Sequence, residues 1–268
     1  MATTKLRHDQ LPACVAALPR YKRTRMKLLF IADLHYCLKH FDWVSQQAAN
    51  YDLVSIGGDL LDLSSALDFD VQIVVVEKYL RQLRQKTTLL VSSGNHDGDS
   101  RNGTGESVAA WIASMKGENL FVDNDSFFAD DILFTICPWW DGPVSRAELG
   151  ALLEREAPKA RGKWIWIHHA PPSGSPVCWT GRKAVGDECL REWIEQYEPS
   201  MVLSGHIHNS PFYAEGSWID QIGRTWVFNP GKQIGPVPTH ICLDLKATTA
   251  EWISIEGPSI RQFAFADR

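Results

Sequence analysis

Leu28-Leu29-Phe30-Ile31-Ala32-Asp33-Leu34-His35 is the stretch on which the fold turns. Its five consecutive apolar residues suit a β-strand buried on both faces, as in a sheet covered by helices on either side. The run ends on a carboxylate and an imidazole two residues apart, which in extended backbone point to the same side. Asp-x-His by itself is ordinary polarity, so its meaning depends on what the rest of the chain repeats.

The pattern recurs four more times. Val54-Ser55-Ile56 leads into Gly57-Gly58-Asp59-Leu60-Leu61-Asp62, where glycine lets the backbone turn tightly and aim Asp59 outward; Asp62 is open to a purely structural role as a helix N-cap. Leu89-Leu90-Val91-Ser92-Ser93 ends in Gly94-Asn95-His96-Asp97. An Asn oxygen ligates a cation without adding charge, and His96 can protonate a departing alkoxide if Asp97 orients it. Trp164-Ile165-Trp166-Ile167 ends in His168-His169-Ala170-Pro171-Pro172, with the prolines stopping the strand where the imidazoles emerge; one of the two is a ligand candidate. Met201-Val202-Leu203 leads to Ser204-Gly205-His206-Ile207-His208. Those last two Cα atoms lie about 7 Å apart if extended, within reach of two cations about 3.5 to 4 Å apart. Open α/β sheets place their ligands at the carboxyl ends of strands, and these five ends hold six of the nine histidines. His8, His40 and His240 fall outside the pattern.

Helical patterns at 71–84, 106–115, 146–156 and 187–197, with further short strands at 120–122 and 132–136, predict α/β layering. Strand beside strand at 225–228, 240–244 and 251–255 predicts a second, partly antiparallel sheet. No repeat or interdomain linker interrupts the chain, so residues 27–268 are expected to form one domain behind a leader at 1–26. The 44% of apolar residues can supply the interior.

A net charge of -5 argues against nucleic acid as partner, and the basic cluster Arg20, Lys22, Arg23, Arg25 and Lys27 reads as a solvated leader. Six cysteines without a CxxC pair read as isolated reduced thiols. No stretch has a signal peptide's order or approaches the roughly 20 apolar residues of a membrane span. A cytoplasmic chain without membrane partners is expected, its oligomeric state open.

In this order, Asp33-x-His35, Gly58-Asp59-x-x-Asp62, Gly94-Asn95-His96-Asp97, His169-x-Pro171 and Gly205-His206-x-His208 resemble the successive signatures of calcineurin-like metallophosphoesterases. Asn229-Pro230-Gly231 is similar to a turn many members carry after the His-x-His strand. The resemblance implies an α/β fold, a four-layer αββα sandwich of two mixed β-sheets flanked by helices. It implies two divalent metal ions, one held by Asp33, His35, Asp59 and His208 and the other by Asp59, Asn95, His169 and His206, and it selects His169 over His168. Oxygen and nitrogen donors without thiolate suit Mn, Fe, Zn or similar ions. The implied activity is hydrolysis of phosphate mono- or diesters of small molecules by in-line attack of hydroxide, with His96 as proton donor and Asp97 beside it. Arg101, Trp139 and Trp179 are candidates for holding substrate, with Trp140, Arg182 and Lys232 behind them. A nuclease of this family would be expected to show a basic groove, and a non-catalytic scaffold to have lost ligand positions.

Overall fold

A computed structural model of the protein describes residues 25–266. His8, Cys14 and the cluster members Arg20, Lys22 and Arg23 lie outside the described residues, as does most of the expected leader. In chain order come β1 (Lys27–Ile31), α1 (Leu38–Gln47), β2 (Leu53–Gly57), α2 (Phe69–Leu83), β3 (Thr88–Ser92), β4 (Ser100–Arg101), β5 (Ser107–Val108) and α3 (Ala110–Ser114). They are followed by β6 (Leu120–Phe121), β7 (Ser126–Ala129), β8 (Ile132–Ile136), α4 (Pro143–Glu156), β9 (Lys163–Ile167), α5 (Glu188–Tyr197) and β10 (Met201–Leu203). The chain closes with β11 (Ile219–Ile222), β12 (Thr225–Phe228), β13 (His240–Asp244), β14 (Thr249–Ser254) and β15 (Gly257–Gln262).

Two mixed sheets carry the fold. The first has seven strands in the order β15-β14-β13-β1-β2-β3-β6, parallel from β1 to β6 and antiparallel on the β13 side. The second has six, β11-β12-β10-β9-β8-β7, with four parallel strands between two antiparallel edges. Period-two alternation sorts each strand's side chains into layers. Leu28 and Phe30 of β1 face Ile165, Ile167, Met201 and Leu203 of the other sheet in a central layer. Leu29 and Ile31 turn outward to meet Phe41 of α1 and Val76 and Leu80 of α2. Trp164, Trp166 and Val202 turn outward from the second sheet beneath Leu149 and Leu153 of α4 and Ile194 of α5. Helix, sheet, sheet and helix are therefore stacked as the expected four-layer αββα sandwich.

Three expectations need correction. The C-terminal strands do not make a sheet of their own: β12 pairs parallel with β10 in the second sheet, whereas β13 and β14 extend the first through β1. The helix expected at 106–115 shrinks to Ala110–Ser114, because Glu106 works elsewhere: its carboxylate accepts the amides of Val144 (2.8 Å) and Ser145 (2.7 Å) and so caps α4 from outside. Asp62 caps no helix, since α2 starts only at Phe69. Helix α1 went unforeseen because no polar cap announces it, its N-cap being Cys37 without a side-chain hydrogen bond.

No helix among the described residues is long and apolar enough to cross a membrane.

Leu203, fully buried in the central layer directly before the loop of His206 and His208, should be costly to truncate. Leu203→Ala is expected to lower unfolding free energy by about 2–5 kcal/mol in urea titration at unchanged slope. A loss well under 1 kcal/mol would mean that the layer does not pack as described.

Candidate metal centre

The carboxyl ends of β1, β2 and β3 in one sheet and of β9 and β10 in the other open onto a common rim, and the polar turns read from the sequence meet there. The chain leaves its strands there through strained backbone: Asp33, His35, Asp59 and His206 have φ of 57°, 42°, 54° and 67°. Left-handed conformations are uncommon for residues with a Cβ and persist where surrounding contacts over-determine them. Those contacts are present. The Asp33 and His35 amides donate to the carbonyls of Gly58 (3.1 Å) and Asp59 (2.9 Å), and the His206 amide crosses between sheets to the Asp33 carboxylate (3.0 Å). Two glycines are obligatory for space. A Cβ on Gly58, itself at φ 89°, would overlap the His169 ring, and one on Gly94 would overlap the Asp59 carboxylate.

At the centre stand two buried carboxylates ringed by imidazoles. Asp59 Oδ2 lies 3.2 Å from His169 Nε2 and 3.5 Å from His35 Nε2, and Asp59 Oδ1 accepts the His96 amide at 2.9 Å. Asp33 Oδ1 lies 3.2 Å from His208 Nε2 and 3.7 Å from His35 Nε2. His35 Nε2 and His208 Nε2 face each other at 3.0 Å. Ligand-type atoms converge within 4.8 Å of one another in three groups: Asp33, His35, Asp59 and His208; Asp59, His169 and His206; and His35, Asp62 and His96.

The donor set fits divalent cations. Asn95 Oδ1 is buried and without a hydrogen-bond partner, at a place where unsatisfied polar atoms are expensive. His169 Nδ1 donates to the Gly57 carbonyl at 2.7 Å, which fixes the ring and turns Nε2 toward Asp59.

Electrostatics follow from this crowding. Burial by itself raises the Asp33 carboxyl, but hydrogen bonds to His208 and His35 outweigh it and hold the group below the usual carboxylate range. Burial likewise lowers His169, yet the Asp59 carboxylate beside it reverses the sign and carries the imidazole up to about 9. For His206, burial and the charge of His169 outweigh the pull of Asp33 and Asp59 and bring it down to about 4. Burial also lowers His96, with Asp59 opposing.

The remaining predicted residues divide. His168 is buried behind His169 and faces Asp187 Oδ2 at 3.6 Å rather than the cluster. Asp62 joins the rim through the third group, with Oδ1 accepting the Ser64 amide at 2.8 Å. Asp97 does not orient His96. Its carboxylate turns inward to the amides of Leu60 (2.9 Å), Leu61 (3.0 Å) and Gly94 (2.8 Å), pinning the turn after β2 to the turn after β3, and burial raises its pKa. His96 Nδ1 instead accepts from the Leu63 amide at 3.3 Å. Arg101 is exposed and spent on the Gly105 carbonyl within the β4–β5 hairpin. Trp139 stands at the site, its ring 5.5 Å from that of His206, whereas Trp179 is half-buried and bridges Ala184. Burial lowers Lys232, with the carboxylates of Asp33, Asp62 and Asp59 opposing. Asp187 and Arg146, both beside this site, were missed; the only signal for Asp187 was its place as the N-cap of an amphipathic helix, where it accepts the Leu190 amide at 2.9 Å.

Residues 26–210 match the family model of the calcineurin-like phosphoesterases, and the chain belongs to that family. It is 25% identical over 202 residues to "Putative phosphoesterase 078R" of Invertebrate iridescent virus 3, a match that takes in 70% of this chain and spans 54%, about half, of that protein's length. Among solved structures it is similar to TT1561 of Thermus thermophilus (TM-score 0.58, 13% identity, 89% of this chain and 99% of that one). It is also similar to purple acid phosphatase PPD1 from yellow lupin, Lupinus luteus (0.54, 13%, 89% and 51%), and to GAP50, the anchor in the inner membrane complex of Plasmodium (0.55, 9%, 91% and 90%). At these identities the likeness is one of fold.

A metal ion held by His169 would need the neutral lone pair at Nε2, so binding below about pH 9 would have to expel the proton that Asp59 stabilises there. Manganese affinity is expected to rise with pH, by up to tenfold per unit while one proton is released, and to level off above pH 9. Calorimetry in two buffers of different ionisation enthalpy checks this; the same apparent heat in both buffers at pH 7 would contradict it.

Proposed function

We propose that the protein is a hydrolase of small phosphate mono- or diesters that works with two divalent metal ions. The observation that carries this reading is the sharing of Asp59 between two ligand groups, Asp33, His35, Asp59 and His208 on one side and Asp59, His169 and His206 on the other. Asn95, with its unpartnered oxygen, would complete the second. Divalent ions held by these residues would supply hydroxide at neutral pH and would neutralise charge on the phosphoryl oxygens.

The chain's own groups do the rest. Asp33 and Asp59 fix the imidazoles through short contacts, and Asp97 holds the two turns from which Asp59 and Asn95 emerge. His96 stands on the open side, with Nδ1 occupied as an acceptor and Nε2 3.9 Å from Asp59 Oδ2. That tautomer leaves one N–H, at Nε2, free to turn to a phosphoryl or leaving oxygen. A neutral imidazole there stabilises developing charge by hydrogen bonding, so it need not begin as imidazolium.

The test is hydrolysis of bis(p-nitrophenyl) phosphate and p-nitrophenyl phosphate by full-length protein with manganese, after chelation, and after manganese is restored, alongside a metal count. Activity should vanish with chelator and return with metal at two ions per chain. His96→Ala should keep both ions and lose about 10²–10³ in kcat. Hydrolysis indifferent to chelator, or full turnover in His96→Ala, would refute the scheme.

A further inference from the structure

Next to the ligand cluster a cavity of about 490 Å³ opens, within the range of small-molecule sites of roughly 300–1,000 Å³. His206 lies at its inner end, and its walls are the consecutive indoles Trp139 and Trp140, the Arg146 side chain and the small apolar groups of Ala170 and Val185. Resting on the phosphoesterase reading above, we propose that this cavity receives a planar ring carried by the alcohol portion of the substrate, which makes the preferred substrates ring-bearing phosphoesters such as nucleoside phosphates or phenolic phosphates.

Three observations converge on a ring. First, the cavity and the ligand cluster are continuous: the Trp139 ring lies 5.5 Å from the His206 ring and 5.8 Å from the His169 ring, so a group attached to a phosphoester at those imidazoles passes along an indole. Second, the far wall is built in place. Trp140 Nε1 donates to Asp187 Oδ2 at 2.7 Å while Asp187 Oδ1 caps α5, which tethers the indole to a helix end, and the Arg146 guanidinium lies 5.7 Å from its centroid. A held indole loses little entropy when a ligand stacks on it. Third, the chemistry of the walls selects. Indole faces beside a guanidinium favour a π-face with acceptors at its edge over an aliphatic alcohol, and the exposed acidic residues Asp141 and Glu188 in the lining oppose a second anionic group. Asp187 acts here as a positioning residue through Trp140, and Trp140 and Arg146 set specificity.

Phosphonates, whose carbon–phosphorus bond is not cleaved, separate binding from turnover. Calorimetric titration of manganese-loaded protein with adenosine 5′-methylenephosphonate, benzylphosphonate and propylphosphonate should show the two ring-bearing ligands binding about tenfold or more tighter than the aliphatic one. Trp140→Ala should bring all three within about threefold of one another. Arg146→Gln, at an exposed helical position where the fold is not at stake, should narrow the gap as well. Adenosine above benzyl assigns the nucleobase and benzyl above adenosine assigns a phenolic ester, and either order supports the ring. Equal affinities in the native protein, or a preference that survives both substitutions, would overturn the proposal. Ring preference without any ester hydrolysis would remove the hydrolytic reading and leave this one standing, whereas chelator-sensitive hydrolysis without ring preference would do the reverse.

Discussion

A carboxylate buried between two sheets has to be answered by positive charge, and Asp59 is the group on which the architecture of the rim depends. With 1% of its surface exposed, it could not stay ionised if it faced only apolar neighbours. It is answered three times, by the His96 amide on one oxygen and by His169 and His35 on the other. Asp33, equally buried, is answered by His208, His35 and the His206 amide. These partners come from both sheets, so the two halves of the sandwich are electrostatically interlocked at the rim as well as packed through the central apolar layer. A pair of buried charges seldom outdoes a well-packed apolar core in stability. The arrangement is therefore better explained by what it can bind than by what it contributes to folding.

That distinction matters because the fold alone is silent about activity. Chains of similar fold include a purple acid phosphatase from lupin and an anchor protein from Plasmodium. What separates such outcomes is the side chains presented at the strand ends. Here the ends of β1, β2, β3, β9 and β10 each deliver a polar side chain, the glycines that make room for them are in place, and residues with left-handed backbone hold ligand-type atoms within 4.8 Å. Strain of this kind is kept where the surroundings impose it, and it clusters at functional sites.

Much of this was legible in the sequence because it is local. A buried strand ending in a polar turn is written in consecutive residues, so β1, β3, β8 and β10 and the five donor clusters could be read directly. What could not be read depends on distant partners. Nothing near Glu106 indicates that its carboxylate will cap a helix 38 residues away at Val144. Nothing near β13 indicates that it will join β1 rather than its sequence neighbour β12. Asp97 was misread for the same reason: adjacency to His96 suggested a pair, but its neighbours in space are the amides of Leu60 and Leu61, and it orders the turns rather than the imidazole.

The cavity wall extends that point to specificity. Trp140 lies in a loop, Arg146 in α4 and Asp187 at the N-cap before α5, and no motif links them; only packing of α4 and α5 against the second sheet brings the Asp187 carboxylate to the Trp140 indole. Residues that hold cations must satisfy fixed donor chemistry and so recur as recognisable spacings. Residues that hold the rest of a substrate need only offer shape and a complementary face, which many sequences can supply. On the reading proposed for this chain, the first kind is confined to strand ends and the second to the segments that cross over between them. If the proposed cavity holds the ring, a change of substrate would follow from altering the 139–146 segment while the carboxylates and imidazoles of the rim, fixed by both sheets, stay where they are.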